Sequence, residues 1–426
     1  MAIRFVGLLN VAALCLLGVV AGLEGAETPA TPAAVGQWPQ HLGPDRNGVS
    51  RETGLIDKWP AGGPREVWRM KGGAGMSGLA ISRGRVLTLV QKQGQQFLVA
   101  LNADTGQPIW ETAIASEYRN QMGNGPRATP TIAGERAFAY TGEGILAAVN
   151  FGDGTLIWSH DLPKELGGEP ADYGMACSPL VVGERVIVQV GAPQAAVAAL
   201  DGASGKLVWK AGDDPAGYSS PALLRVSGQE QVVSFTGGSV MGLAPDKGAV
   251  LWRHPYETDF ACNIATPLSI KGNVFVSAGE NHGSVLVGVQ PDGGFAVKEL
   301  WSSQGGGSVL RCEWQTPVLL DGYLYGFDNV GSAGPVTHLT CIEAGTGKRM
   351  WQQLRFGKGN LIAAEGKLLI STMKGELVVA RATPEKYEEI GRGVVIGTTR
   401  QAPALAGGLL YLRDDKEIVC LDIRQK

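Results

Sequence analysis

One position of a repeated sequence unit carries side chains that can bind a charged ligand. Six units align on a Pro that follows Ser, Thr or Ala, two more align on Leu79 and Leu361, and the position lies three residues earlier. Its occupants include three cations and two aromatic residues, and the full set is Met76, Arg127, Ala176, Tyr218, Ile264, Trp314, Lys358 and Arg400. Clustered cations attract small anions, and aromatic rings offer stacking faces. We predict a rim that binds an anionic or carbonyl-bearing ligand or an acidic partner loop, with Arg127 and Lys358 foremost.

Histidine gives a weaker indication than the aligned cations do. The five His are scattered along the chain, and none has a neighbour at metal-ligand spacing. His282, in the stretch GENHGSV, lies among glycines at a predicted loop. It is a further candidate for facing a ligand, with a surface or packing role as the alternative. We predict no catalytic residue and no metal ligand.

Five cysteines follow the amino-terminal 26 residues, namely Cys177, Cys262, Cys312, Cys341 and Cys420. No CxxC and no adjacent pair occurs among them. We interpret them as small buried residues, with one disulfide left open as an alternative. Cys262 and Cys312 occupy equivalent places in consecutive units. We predict free thiols there, because a disulfide needs Cα atoms within about 7 Å.

The elements that hold the rim are repeated β-units. Each unit has an apolar strand, a turn such as D-x-x-x-G, and a Trp that packs between units. From Trp110 onward the Trp residues are spaced 43 to 51 residues apart, namely Trp110, Trp158, Trp209, Trp252, Trp301 and Trp351, and Trp68 precedes Trp110 by 42 residues. Such a period with short alternating strands indicates a β-propeller or an open β-solenoid.

The two chain ends decide between these architectures. Ile390 takes the Trp position of one more unit, and residues 401–426 supply three strands without a closing Trp. The segment PREVW, ending at Trp68, supplies a fourth strand without its first three. Joined, they complete a ring and hide its edges. We predict an all-β fold, an eight-bladed propeller of four-stranded antiparallel blades whose last blade is closed by both chain ends.

Composition and the amino terminus restrict the function classes. With 37 basic and 40 acidic residues the net charge is −3, which disfavours nucleic acid as a partner. The 62 glycines disfavour long helices. Residues 1–26 have the form of a signal peptide, whose apolar run is too short to span a bilayer and whose Cys15 does not fit a lipoprotein site. We expect residues 27–59 to form a linker and extension, residues 60–426 the propeller, and the mature chain to lack a transmembrane span.

The Trp units resemble those of a known propeller family. Units such as ALNADTGQPIW and ALDGASGKLVW resemble the tryptophan-docking repeats of pyrroloquinoline quinone (PQQ) dehydrogenases and of BamB-like propellers of the outer-membrane assembly machinery, over roughly residues 60 to 426. Phrases such as WPQHLGPDRNGVS resemble exported PQQ-repeat-like proteins of planctomycete-type bacteria. The dehydrogenases carry an adjacent cysteine pair and a calcium ion held by Glu, Asn and Asp. This chain lacks that pair, and we cannot map the calcium ligands.

Three functions therefore stay open after the sequence alone. The first is a non-catalytic scaffold of the periplasm or cell envelope that binds a protein or peptide partner, without a cofactor. The second is a PQQ- and calcium-dependent alcohol or sugar dehydrogenase. The third is a propeller that binds a small anionic ligand or a sugar at the rim.

Overall fold

The computed structural model describes residues 1–2, 36–291, 294–331 and 336–425. The predicted signal peptide, apart from its first two residues, and the linker up to residue 35 lie outside the described residues. The folded unit covers Ala34–Lys426. Its described part contains one α-helix, α1 (Leu162–Leu166), and two short 3-10 turns, Asp259–Ala261 and Gly305–Gly307. We find no helix in the described residues with the length and apolarity that a bilayer crossing requires.

Eight antiparallel sheets form the blades, and two short strands precede the first of them, β1 (Val49–Ser50) and β2 (Arg65–Lys71). Blades 1 to 4 contain, in chain order, β3 (Ala80–Ser82), β4 (Arg85–Lys92), β5 (Gln95–Asn102), β6 (Pro108–Ser116); β7 (Thr131–Ala133), β8 (Arg136–Tyr140), β9 (Ile145–Asn150), β10 (Leu156–Asp161); β11 (Leu180–Val182), β12 (Arg185–Ala192), β13 (Ala195–Asp201), β14 (Leu207–Ala211); and β15 (Ala222–Val226), β16 (Gln229–Phe235), β17 (Ser239–Leu243), β18 (Val250–Pro255). Blades 5 to 7 contain β19 (Leu268–Ile270), β20 (Asn273–Ala278), β21 (Gly283–Pro291), β22 (Phe295–Gln304); β23 (Val318–Leu320), β24 (Tyr323–Val330), β25 (Val336–Glu343), β26 (Arg349–Gln353); and β27 (Gly359–Ala364), β28 (Lys367–Thr372), β29 (Glu376–Arg381), β30 (Glu388–Val394). Blade 8 contains β31 (Ala404–Ala406), β32 (Leu409–Arg413), β33 (Glu417–Asp422) and β2.

Blade 8 joins the two chain ends. Strand β2 pairs antiparallel with β33, and Trp68 lies opposite Cys420 in that register. The prediction of an eight-bladed propeller closed by both termini is confirmed. In six blades the first strand begins directly after the Pro on which the units were aligned. At that position the missing N–H of Pro removes no hydrogen bond of the sheet.

The apolar core lies between neighbouring blades. Phe138 of blade 2, for example, shares one buried cluster with Val186 and Leu200 of blade 3. The middle strands are therefore buried on both faces, whereas the outer strands, such as β6, alternate between exposed and half-buried residues. Burial of this kind explains the 44% hydrophobic composition.

The Trp residues connect each blade to the next. The Nε1 atom of Trp68 in blade 8 donates a hydrogen bond of 2.8 Å to the carbonyl of Ala103 in blade 1. The ring lies against Gly106, whose φ is +71° and where a Cβ atom would come within 2.7 Å of the indole. Only glycine combines this φ with this close approach. The equivalent bonds run from Trp110 to Phe151, Trp158 to Gly202, Trp209 to Pro245, Trp301 to Ala344 and Trp351 to Thr383. Trp252 instead donates to the Gln231 side chain of its own blade.

The segment of residues 38–50 crosses the ring. The sequence did not predict where this segment packs. Trp38 exchanges two backbone hydrogen bonds of 2.8 Å with Ile81 in the first strand of blade 1. The Pro39 carbonyl accepts from Ile132 in blade 2, and β1 adds a parallel strand to β27 in blade 7. The first strands surround the axis of a propeller. A segment that contacts them on several sides therefore closes the central channel.

Candidate functional site

The loops before the first strands surround one cavity of about 610 Å³. All eight aligned positions line this cavity, from Met76 in blade 1 to Arg400 before blade 8. Trp38, His41 and Leu42 of the channel-crossing segment also line it. The cavity is therefore a cup, with that segment as its floor and the loops as its rim. A cavity of this size suits a small ligand or the tip of a loop.

Arg127 fastens two loops at the rim. Its Nε and Nη1 atoms donate to the carbonyls of Tyr173 and Gly125, each at 2.5 Å. Nη2 donates to the carbonyl of Gly123 at 2.8 Å. Burial lowers the pKa of Arg127, Tyr118 and the Glu143 carboxylate oppose this, and the Arg400 guanidinium adds a smaller lowering. Among the described residues no carboxylate lies within 4.0 Å of this guanidinium, which instead has three backbone carbonyls and the Tyr118 ring, 4.7 Å from Cζ to the centroid, around it.

Lys358, the second foremost cation of the sequence prediction, belongs to an ion pair. Its Nζ atom lies 2.7 Å from Oε2 of Glu313, a carboxylate only 9% exposed. Asn329 donates a further hydrogen bond of 2.5 Å to that oxygen. Burial raises the pKa of Glu313, and Lys358 opposes this rise. Lys358 therefore contributes little net charge to the cavity.

The Trp314 indole contacts two cations. Nζ of Lys358 lies 4.2 Å from the ring centroid, and Cζ of Arg400 lies 5.0 Å from it. Arg400 also donates to the carbonyl of Met122 at 3.0 Å and approaches the sulfur of Met76 at 3.7 Å. Like Arg127, Arg400 has no carboxylate within 4.0 Å among the residues that the structure describes. From the loop before blade 8 it therefore contacts the loops before blades 1, 2 and 6.

Aromatic side chains form another part of the wall. The rings of Tyr173 and Tyr218 stack with centroids 5.8 Å apart and an interplanar angle of 26°. The Tyr218 hydroxyl accepts a hydrogen bond from the Tyr173 backbone N–H at 3.2 Å. Phe260, 63% exposed, extends this aromatic group with its centroid 6.1 Å from that of Tyr173. The rim therefore offers a stacking surface beside its cations.

His282 lines the cavity. Its Nε2 atom accepts a hydrogen bond of 3.4 Å from the backbone N–H of Asp259 and lies 3.8 Å from the Asp259 carboxylate. Glu280, two residues earlier, also lines the cavity. The structure gives Glu280 no hydrogen bond or ion pair with the described residues.

Sequence reasoning missed several residues of the cup. Glu280, Glu313, Tyr173 and Met122 line or support it, but none of them occupies the aligned position. Glu313 had a usable signal, because it directly precedes Trp314 and lies four residues before its Pro. The other three lie in loops of different lengths, where an alignment of units has no register.

The floor holds a histidine that cannot easily be charged. Burial, with the Arg46 guanidinium close by, lowers the pKa of His41 to about 3. Its Nε2 atom lies 3.4 Å from Oγ1 of Thr266 in blade 5. Arg46 is 3% exposed and donates to the carbonyls of Ser178 and Pro179 at 2.8 and 2.9 Å. His41 is therefore neutral at physiological pH.

The cup lacks the adjacent cysteine pair of the quinone centre that the dehydrogenase resemblance implies. Cys262 is the cysteine among the residues lining the cavity, and burial together with Glu280 raises the pKa of its thiol to about 12. All five described cysteines are free thiols, as predicted for Cys262 and Cys312. In the described part of the chain, no three His, Cys, Asp or Glu side chains come together as metal ligands do.

A comparison with known protein families identifies the repeat. The model described as outer membrane protein assembly factor BamB matches residues 60–211 and 122–353. The chain belongs to this family. The BamB of Yersinia pestis is 22% identical over 288 residues, which are 64% of this chain and 67% of that protein. Membership agrees with the resemblance to BamB-like repeats that the Trp units carry.

Solved structures show the same fold in proteins with different functions. BamB from Moraxella catarrhalis superposes with a TM-score of 0.57 and 15% identity, covering 85% of this chain and 98% of that one. A quinohemoprotein alcohol dehydrogenase from Comamonas testosteroni superposes with a TM-score of 0.66 and 11% identity, covering 92% and 81%. At these identities the likeness concerns the propeller alone.

Proposed function

We propose that this protein is an exported, non-catalytic binding protein of the periplasm or cell envelope, which holds a ligand by an anionic group in the cup. One observation carries the proposal: Arg127 and Arg400 line one cavity, and neither has a carboxylate partner among the described residues. Two cations without an ion-pair partner repel each other in a partly desolvated cavity. An anion that enters relieves this repulsion.

The setting is supported by the family and by the sequence. The family is described as an outer membrane assembly factor, and residues 1–26 have the form of a signal peptide. We propose that the protein works without a cofactor, because the chain lacks the adjacent cysteine pair that the quinone-dependent enzymes carry. Adding PQQ with Ca²⁺ should give no dye-linked oxidation of alcohols or sugars. Turnover in that assay would overturn the non-catalytic part of the proposal.

The anion site is tested by calorimetric titration with phenylacetate, a probe with one carboxylate and one aromatic ring. We expect binding by the wild-type protein and at least a tenfold loss of affinity in Arg400→Gln. Arg349→Gln, an exposed arginine on β26 away from the cup, is the matched control and should bind as the wild type does. Arg127 is less suitable for substitution because it fastens the loops. Equal affinity in Arg400→Gln and Arg349→Gln would refute the anion site.

A second candidate function is a scaffold that receives a protein partner at the same rim. Two exposed apolar side chains favour it, since Met122 and Phe260 stand at the rim with 39% and 63% of their surface exposed. Apolar residues rimmed by polar ones are typical of protein contact sites. Affinity capture from envelope extracts with Phe260→Asp should then lose the partner that the wild type retains. Val394→Asp on an outer strand is the control, and equal capture by both variants would exclude the rim as the contact site.

A further inference from the structure

The charges of the cup are separated by side. The loop of Arg127 leads into blade 2 and that of Arg400 into blade 8, whereas Glu280 lies between β20 and β21 of blade 5. In a ring of eight blades, blade 5 lies opposite blade 1, the blade between those two loops. The loops that carry the unpaired cations and the loop that carries the unpaired carboxylate therefore lie on opposite sides of the ring.

Glu280 acts on its side of the cup as an uncompensated negative charge. It raises the pKa of the Cys262 thiol, after the larger effect of burial, and it contributes to the raised pKa of Glu313. Its neighbour Glu313 is already neutralised by Lys358 at 2.7 Å. No described cation lies within 4.0 Å of Glu280. A cation beside a half-buried carboxylate would stabilise its charged form. A ligand ammonium group would pair with the Glu280 carboxylate in this way.

The wall between the two charged sides is apolar and aromatic. Trp314 lies under Arg400, and the Tyr173 and Tyr218 stack lies beside Cys262. These rings suit the side chains of a ligand rather than its charged ends. A cavity of 610 Å³ is about 10 Å across, which an extended chain of two or three residues spans at about 3.5 Å per residue.

We propose that the ligand is a short peptide of two or three residues with free termini and at least one aromatic side chain. Its carboxylate pairs with Arg400 and Arg127, its ammonium pairs with Glu280, and its aromatic side chain stacks on Trp314 or the tyrosines. This inference rests on the proposed function, because it assigns the ligand of the same cup. A single amino acid fits less well, since its two charges are too close together to contact both walls.

The experiment compares three forms of Phe-Ala and of Phe-Ala-Ala by calorimetric titration: the free peptide, the N-acetylated peptide and the carboxyl-terminal amide. We expect the free peptide to bind at least ten times more tightly than either blocked form. Glu280→Gln should weaken the free peptide at least tenfold and leave the N-acetylated form unchanged. Glu230→Gln, an exposed carboxylate on β16, is the matched control and should alter neither.

The outcomes separate this inference from the proposed function. If the N-acetylated peptide binds as tightly as the free one, Glu280 does not hold an ammonium and the peptide inference is wrong, while the anion site stands. If the amide binds as tightly as the free peptide, the assignment of the carboxylate is wrong. If neither the peptides nor phenylacetate bind, the proposed function fails as well. Thermal unfolding of each variant must match the wild type, so that a lost fold is not counted as lost binding.

Discussion

The ammonium of Lys358 lies 2.7 Å from the carboxylate of Glu313, in a contact between the loops that lead into blades 7 and 6. The sequence predicts Lys358 as a binding cation, and in the structure it lines the cavity while it pairs with a buried acid. Removing one member of such a pair costs more than removing both.

Lys358→Met should therefore lower the free energy of unfolding by about 1–3 kcal/mol, since Glu313 is left buried without its cation. The double variant Lys358→Met with Glu313→Gln should recover most of that loss. Urea unfolding of the two single variants and the double variant measures the coupling. Additive effects of the two substitutions would show that the pair contributes no coupling energy.

The channel-crossing segment should behave as part of the core. Trp38 is 2% exposed and shares a buried cluster with Leu79 and Ile81 of blade 1. Trp38→Ala should cost about 3–5 kcal/mol, because burial of the indole is lost and a cavity remains. Leu354→Ala, at a side chain that is 63% exposed, should change stability by less than about 0.5 kcal/mol. Equal stabilities for the two variants would show that the segment is not anchored in the channel.

Two glycines with nearly the same φ allow the cost of a left-handed backbone to be measured apart from the cost of a clash with a docked Trp ring. Gly154 has a φ of +77° and would place a Cβ atom 2.6 Å from the Trp110 indole, whereas Gly84, at +70°, has open space around it. Substitution by Ala at either position should lower the free energy of unfolding by about 1 kcal/mol, because Ala disfavours a left-handed backbone. Gly154→Ala should lose about 1–3 kcal/mol more, because the docked ring must move. Unfolding midpoints that fall equally in both variants would contradict the docking role of the turn.

Acid should weaken the protein through His41. The pKa of this side chain is about 3 in the folded chain, against 6.5 ordinarily. Between these two values the unfolded chain binds a proton that the folded chain does not. The free energy of unfolding therefore falls as the pH falls from 6.5 toward 3, by at most about 1.4 kcal/mol per pH unit from this group.

The variant His41→Asn isolates this effect from the carboxylates that titrate in the same range. Its free energy of unfolding should vary less steeply with pH than that of the wild type between pH 3 and 6.5. Above pH 7 the two slopes should be equal. Parallel curves for the two proteins would mean that His41 is as easily protonated in the folded chain as in the unfolded one.

Much of the fold could be predicted because repeats convert sequence position into spatial position. The spacings of Pro and Trp predicted eight blades. Trp68 and the carboxyl-terminal strands predicted that both chain ends join in the last blade. The same logic placed eight side chains around one cavity, since residues equivalent in the repeat are equivalent in the ring.

The partners of those side chains could not be predicted in the same way. Arg127 bonds to carbonyls of loops that differ from unit to unit, and Lys358 pairs with a residue of the preceding unit. The segment around Trp38 has no counterpart in any unit, so no repeat position gave its place. Contacts between non-equivalent loops depend on loop length and on side-chain geometry, which the period does not encode.

The joining of both termini in blade 8 also sets a schedule for folding. Arg65 of β2 pairs with Asp422 of β33 across 357 residues, so an early strand must await one of the last. At about 5–20 residues synthesised per second, that interval is on the order of tens of seconds. During it the first complete blade has no neighbour on its β2 side, and the unpaired edge of β2 can join other chains. Slow, late closure of this kind makes the nascent chain, rather than the finished ring, the species most in need of protection from aggregation.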